Sequence, residues 1–422
     1  MVAWAEELVM STVAILGAGF GGLYTARLLE KELRGKKEAE IVLIDRHNFH
    51  LFTPMLHEIT AGKIEPRHVV WPVRLLGRRW RLTFLERRVE AIDLDGRRIL
   101  TDRGAVKYDL LVLALGSVTN FYGLHPPPQL FQFKELRDAV RLRNHLIECL
   151  EGAEQETDPA RRRTLLTLVL VGGGCTGVEL AAEIHDLIFK SLLRFYRHID
   201  PKEIRILLLE ATPRIIPCVG ESLAQLALET LRQKGVEVKL ETPVAEMMPD
   251  GVVLTTGEKI RADTLIWTAG VRANPVIEAL PVAKDHLGRV RVNEHLHLPD
   301  HPEVYALGDC AHFLDPSTGQ PLPPTGQVAL QQTKTVAANI ARHLRGQGVL
   351  AFRYQHQGDL VSLGSRYAVA EIRGYRFAGL FAWVLWRTVF WAKMIGVKNR
   401  VRVALDWAIG LLFGPDTSRL EW

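Results

Sequence analysis

Two glycine runs, Gly17-Ala18-Gly19-Phe20-Gly21-Gly22 and Gly172-Gly173-Gly174-Cys175-Thr176-Gly177, share the spacing G-x-G-x-x-G. That spacing suits a dinucleotide pyrophosphate: the first glycine turns tightly, the second admits the phosphate to the backbone, and the third lets helix and strand pack closely. The phosphate then meets free N–H groups at a helix start. Each run calls for a carboxylate at the end of the next strand to accept from a ribose hydroxyl. Asp45 lies 23 residues beyond Gly22, close to the roughly 20 usual for such an acceptor. Glu210 lies 33 residues beyond Gly177, so the helix between must be extended. A carboxylate there would repel a 2′-phosphate, which favours NADH over NADPH. A solvated strand-end acid is the alternative for Glu210.

Further groups follow. Gly308-Asp309 closes a strand, where glycine admits a flavin to the backbone and the carboxylate accepts from a ribityl hydroxyl. Pro323, Pro324 and Thr325 then open a helix expected to run to about Leu344. Its N-terminus would stabilise negative charge on a reduced flavin. Gln327 and Gln331, four apart, share one face of it. Neutral amides that donate and accept suit a carbonyl substrate such as a quinone, and ordinary surface glutamines are the alternative. Glu179 falls in the first turn of the helix after the second loop, in otherwise apolar sequence. Burial would raise its pKa and make it a proton donor; service to the helix macrodipole is the other reading. The four cysteines, Cys149, Cys175, Cys218 and Cys310, have no close spacing and read as isolated small hydrophobes in a reducing compartment.

The elements that must position these groups are legible as short apolar runs. Thr12–Leu16 and Ile41–Ile44 flank the first loop and its helix, Leu23–Leu33. Leu165–Val171 and Ile204–Leu209 flank the second loop, with a helix from Val178 to about Arg197. Asp109–Gly116 (DLLVLALG) and Asp263–Gly270 (DTLIWTAG) repeat one pattern, a strand ending in a glycine turn. The chain thus carries an internal duplication. The expected class is α/β: two Rossmann-like nucleotide-binding domains, the second inserted in the first, plus a C-terminal amphipathic helical membrane-binding segment. The expected divisions are 11–123 and 282–350 for the first domain, 124–281 for the second and 351–422 for the C-terminal segment.

The 422 residues carry a formal net charge of +5, mild for a nucleic-acid binder, so no nucleic-acid partner is expected. No metal site is expected either. The N-terminus has Glu6 and Glu7 and no basic region, and reads as a leader into a strand. From Ile372 onward apolar runs alternate with Arg387, Lys393, Lys398, Arg400 and Arg402, among Trp383, Trp386, Trp391 and Trp407. Tryptophan with interspersed cations suits the headgroup boundary of a bilayer, and each run is too short and charged to span it. A buried helical pair or a dimer interface is the competing reading.

Taken together, AILGAGFGG, the DRHNFHLFTPMLHEITAG stretch, LALGS, VGGGCTGVELAAEI, IWTAGVRANP, YALGDCA, GQVALQQ and the basic tail resemble the type II (non-proton-pumping) NADH:quinone oxidoreductases over nearly the whole chain. The resemblance implies non-covalent FAD on the first unit, at Gly17, Gly19, Phe20, Gly21, Gly22, Asp45, Arg46, Val89, Ala114, Gly116, Asp309, Gly326, Gln327 and Val328. It implies NADH as substrate on the second, at Gly172, Gly174, Gly177, Glu179, Glu210, Ala269 and Gly270, with Glu179 the family's functional glutamate. A membrane quinone would meet Gln327 and Gln331, where Gly326 replaces the family's alanine. The family's lysine near the flavin falls on Lys393, where a snorkelling lysine is the alternative. The implied enzyme is a peripheral homodimer on the cytoplasmic side of the cell membrane, without proton pumping. A sulfide:quinone oxidoreductase is the nearest rival, but no cysteine follows Cys310 to carry sulfur. An NADPH-linked quinone reductase and a redox-sensing NAD/FAD-binding interaction protein are the others.

Overall fold

A computed structural model describes residues 10–34, 38–77 and 82–419, leaving the N-terminal leader largely outside. By contact the chain divides into two compact units. One comprises the residues up to His50, Pro72–Val118 and Val271–Gln355; the other comprises Leu51–Trp71, Thr119–Gly270 and the residues from His356 onward.

The first unit is built on a six-stranded sheet in the order His297–Leu298, His301–Ala306, Leu110–Leu113, Ser11–Leu16, Ala39–Asp45, Leu82–Glu86. All neighbours pair in parallel except the first two. The buried stretches of the central strands, 13–16, 41–44 and 110–113, are continuous Val, Ile, Leu and Ala because both faces are covered. Chain order reverses at Ser11–Leu16, which has Ala39–Asp45 on one side and Leu110–Leu113 on the other. In such sheets ligands bind beyond the carboxyl ends of the strands at this switch point.

The second unit repeats the plan. Phe131–Gln132, Thr264–Trp267, Thr167–Val171, Arg205–Leu209 and Glu237–Lys239 form a five-stranded parallel sheet, with Thr167–Val171 at the switch point. Each unit also carries a three-stranded antiparallel sheet before its DLLVLALG or DTLIWTAG strand: Val89–Asp93, Arg98–Thr101 and Gly104–Lys107 in one, Val244–Met248, Gly251–Leu254 and Lys259–Arg261 in the other.

The helix after the second loop runs Cys175–His185 and continues as a π-helix, Asp186–Leu192, and a 3-10 turn, Leu193–Phe195. This accounts for the long separation between Gly177 and Glu210. It also corrects one expectation. The helix starts at Cys175, so Glu179 lies beyond its first turn, where the macrodipole has faded.

The C-terminal segment departs from a purely helical reading. Antiparallel strands Asp359–Ser362, Ala368–Ile372 and Tyr375–Gly379 precede the helices Leu380–Lys393 and Val397–Phe413. Ala368, Ala370, Ala382, Trp383 and Trp386 form a small core there. The tail tryptophans divide: Trp383 and Trp386 are buried, while Trp391 and Trp407 are half-buried and tied to the chain through their indoles. Trp386 is fully buried, the Trp391 indole N–H donates to Arg400 O at 2.7 Å, and that of Trp407 donates to Glu58 at 2.8 Å. Arg387, expected as a surface cation, is sandwiched 4.0 Å from the Trp383 ring and 4.5 Å from the Trp407 ring, and pairs with buried Glu58 at 3.1 Å. Arg400 is half-buried and donates to Met394 O and Ala392 O at the end of the first tail helix. Apart from Lys398, what the second tail helix fully exposes is apolar: Val397, Val401, Leu405, Ile409 and Leu412 form a stripe at three- and four-residue spacing, each at least half exposed.

Candidate functional site: two dinucleotide loops and a buried glutamate

The two glycine loops are built alike. Gly17 and Gly172 have φ of +99° and +111°, and a Cβ on either would run into the chain at Ala114 or Ala269. A Cβ on Gly22 or Gly177 would overlap the carbonyl oxygen of Gly17 or Gly172, so helix and strand approach as closely as glycine permits. Gly19 and Gly174, by contrast, face open space: a Cβ there would meet nothing within 4 Å. These middle glycines, each at the N-cap of its helix, leave a cradle of the kind a pyrophosphate fills.

The strand-end acids match as well. Asp45 accepts from Ala18 N at 2.6 Å and His47 N at 2.7 Å, and Glu210 accepts from Gly173 N at 2.6 Å and Thr212 N at 2.8 Å. Each carboxylate therefore braces its loop, and its remaining lone pairs can accept from a ribose hydroxyl. Burial raises the Asp45 pKa, against the hydrogen bonds from Ala18 and His47. Behind the first loop His50, buried, shares a hydrogen bond with Ala18 O at 2.9 Å, and burial pushes its pKa down to about 4. His50 is thus neutral and donates its Nδ1–H to Ala18. Both sites fit a dinucleotide on these observations.

The other first-unit residues named from sequence are placed as follows. Phe20 starts the first loop helix, and a Cβ on Gly326 would lie 3.7 Å from its ring, which brings two helix N-termini side by side. Arg46 is exposed, Val89 opens a strand, Ala114 is buried, and Gly116 has φ of +71°. Asp309 accepts from the Ser117 hydroxyl, and Gly308 N donates to buried Gln332 at 2.7 Å. Gln332 escaped sequence reasoning because only its burial separates it from the neighbouring Gln331. Thr325 caps the Gly326–Leu344 helix through Val328 N, as its position implied. Gln327 accepts from Tyr354 OH at 3.0 Å, and Gln331 donates to Gln355 O at 2.8 Å, so both tether the returning chain.

In the second unit Ala269 and Gly270 follow the strand Thr264–Trp267, with Gly270 at φ +76°. Glu179 is set among groups that sequence spacing did not reveal. Its carboxylate accepts from Ser362 N at 3.0 Å and lies 3.8 Å from His57 Nδ1, while the His57 ring stands edge-on to Trp386. Burial raises the Glu179 pKa, opposed by His57 and the Ser362 N–H. One helical turn on, Glu183 is also buried, also raised by burial, and paired with Lys63 at 2.5 Å. The four-residue spacing in VELAAEI was the available signal for Glu183. Lys393 ends the first tail helix at the surface, where desolvation still holds its amine below the usual range. The cysteines correct the sequence reading: Cys175 and Cys218 lie with their sulfurs 2.8 Å apart.

Residues 11–333 match the pyridine nucleotide-disulphide oxidoreductase family model, and residues 356–416 match the NDH2 C-terminal domain. The chain is 32% identical over 417 residues to the type II NADH:quinone oxidoreductase Ndh of Mycobacterium tuberculosis, covering 95% of this chain and 88% of that protein. It is 31% identical to the type II NADH:quinone oxidoreductase of Staphylococcus aureus, covering 95% and 97%. In fold it is similar to NDH2 from Plasmodium falciparum solved with NADH, at a TM-score of 0.89, 19% identity and coverage of 97% and 99%. The sulfide:quinone oxidoreductase of Aquifex aeolicus shares the fold less closely, at a TM-score of 0.74, 18% identity and coverage of 96% of both chains. On its whole-length identity to curated members and the match of both family models, this chain belongs to the type II NADH:quinone oxidoreductases, flavin-dependent enzymes of the NADH dehydrogenase class.

Proposed function

We propose that the chain oxidises NADH on its second glycine loop and delivers the electrons, through FAD held by the first, to a membrane quinone. The observation that carries this is the repeated loop: in both units a strand-end carboxylate braces a glycine cradle open at its middle glycine. In this reading 11–123 and 282–350 hold FAD, 124–281 holds NADH, and 351–422 attaches the protein to the bilayer.

Bound FAD would supply hydride acceptance and the relay of electrons to quinone. The chain's residues bind and orient. Gly17, Gly19, Phe20, Gly21 and Gly22 present the first helix N-terminus to the flavin nucleotide's pyrophosphate, and Asp45 takes a ribose hydroxyl, with Arg46 and Val89 beside it in sequence or fold. Ala114 and Gly116 close the switch point, and Asp309 takes a ribityl hydroxyl. The N–H groups at Gly326, Gln327 and Val328 offer positive potential to the flavin ring. Gly172, Gly174 and Gly177 cradle NADH, Ala269 and Gly270 bound it, and Glu210 disfavours a 2′-phosphate. Glu179, its pKa raised by burial and 3.8 Å from His57 Nδ1, is the group placed to hold and pass a proton during turnover. Gln327 and Gln331 shape the quinone's approach while they hold Tyr354 and Gln355, and Lys393 stands at the membrane side.

The stripe on Val397–Phe413 suits a lipid surface: it is apolar, helical, flanked by Lys398, and no helix among the described residues is long and apolar enough to cross a membrane. Part of it could also serve a second copy in a homodimer. The enzyme would sit peripherally on the cytoplasmic face.

Anaerobic absorbance of the flavin-loaded protein tests the assignment. NADH should bleach the flavin faster than NADPH does, and a short-chain soluble quinone should restore the colour. A flavin left oxidised by NADH but reduced by sulfide would overturn it.

A further inference from the structure

Cys175 and Cys218 are 43 residues apart in sequence, yet their sulfurs lie 2.8 Å apart as free thiols. Cys175 opens the helix after the second glycine loop, and Cys218 is exposed in the segment that links Glu210 to the helix Glu221–Gln233. Hydrogen bonds already clamp these segments together: Gly173 N donates to the Glu210 carboxylate, and Ile216 N donates to Gly173 O at 2.7 Å. The other cysteines are different. Cys149 and Cys310 are buried, contact Thr264 and Gly116 O and not sulfur, and burial pushes both thiols up to about 12.

We propose that Cys175 and Cys218 are a peroxide-reactive dithiol whose oxidation to a disulfide ties the second glycine loop to the 211–220 segment and weakens NADH binding. Cys218 is the exposed partner. Its thiolate, stabilised by a hydrogen bond from Cys175, is held below the ordinary thiol range, while the same contact and burial hold Cys175 above it. The Cys218 sulfur attacks one peroxide oxygen, the O–O bond breaks, and the departing oxygen leaves as water after taking a proton. Cys218 is then a sulfenic acid. The Cys175 sulfur attacks it, the S–O bond breaks, and a second water leaves. Two thiols and one hydrogen peroxide become one disulfide and two waters; sulfur loses the two electrons that peroxide gains.

Closing the gap from 2.8 Å to a bond of about 2.05 Å, with its dihedral near 90°, shifts Cys175. The Cys175 N–H is among the first amides of the helix, the group a bound phosphate would meet. This last clause rests on the second loop being the NADH site.

The test treats the flavin-loaded full chain with hydrogen peroxide, then denatures, alkylates and digests it without reductant. A cross-linked Cys175–Cys218 peptide is expected, lost after dithiothreitol, with Cys149 and Cys310 alkylated. The KM for NADH should rise by about threefold on oxidation and return on reduction, while the KM for a soluble quinone stays constant. Cys218→Ser should show neither change. Recovery of both cysteines alkylated, or of Cys218 as a sulfinic acid without the cross-link, would overturn the proposal. A cross-link with an unchanged KM for NADH would overturn the coupling to dinucleotide binding. The peptide map reads thiol chemistry without turnover, so it fails separately from the NADH assignment.

Discussion

Glu179 and His50 show how burial sets the charge of a single group. Glu179 is raised by desolvation against His57 and the Ser362 N–H, so its neutral form persists above the usual carboxyl range. If it donates a proton in turnover, activity falls as pH rises through that raised pKa. Glu179→Gln should remove this limb from the pH profile and lower kcat by about 10²-fold, measured with NADH and a soluble quinone. His50 titrates the other way. Its folded pKa of about 4 lies below the unfolded 6.5, so the unfolded chain binds the extra proton first. Stability is full above pH 6.5 and declines as pH falls toward 4, by up to about 3 kcal/mol. Denaturant melts across that window should show the slope, and His50→Asn should flatten it.

At the scale of elements, the third glycine of each loop separates the two nucleotide sites. Gly177→Ala would put a Cβ onto Gly172 O and force the second helix off its strand, while the matching contact of Gly22 on Gly17 O in the first unit stays as it is. The protein should keep its flavin content while the KM for NADH rises by about tenfold or more. Gly22→Ala should do the reverse and leave the purified chain short of FAD. Flavin absorbance per chain with NADH titration distinguishes the two. Loop, helix and strand were legible in the sequence because glycine spacing and apolar runs are local signals. The strands from Asp359 to Gly379 were not, since their pattern is continuous with the aromatic run that follows, and only pairing shows that Ala368 and Ala370 pack beneath Trp383 and Trp386.

For the molecule as a whole, the proposed attachment to a lipid surface rests on the exposed stripe of the tail. Ile409→Glu with Leu412→Glu places two carboxylates in the exposed stripe without touching a buried residue. Flotation with anionic vesicles should fall by about tenfold or more, while turnover with a soluble quinone stays near that of the parent. Retained flotation would assign the stripe to contact between copies.

By itself the sequence determined the duplication, the order of strands around each loop, and the acids Asp45 and Glu210, because a dinucleotide cradle is a local device of fixed spacing. Tertiary structure decided everything that depends on residues distant in the chain: His57 and Ser362 beside Glu179, Arg387 between two tryptophans, and Cys218 against Cys175. Spacing says which way a side chain points along its own element. Whether a charge is paired, a tryptophan buried or a thiol within reach of another depends on what the rest of the fold packs against it.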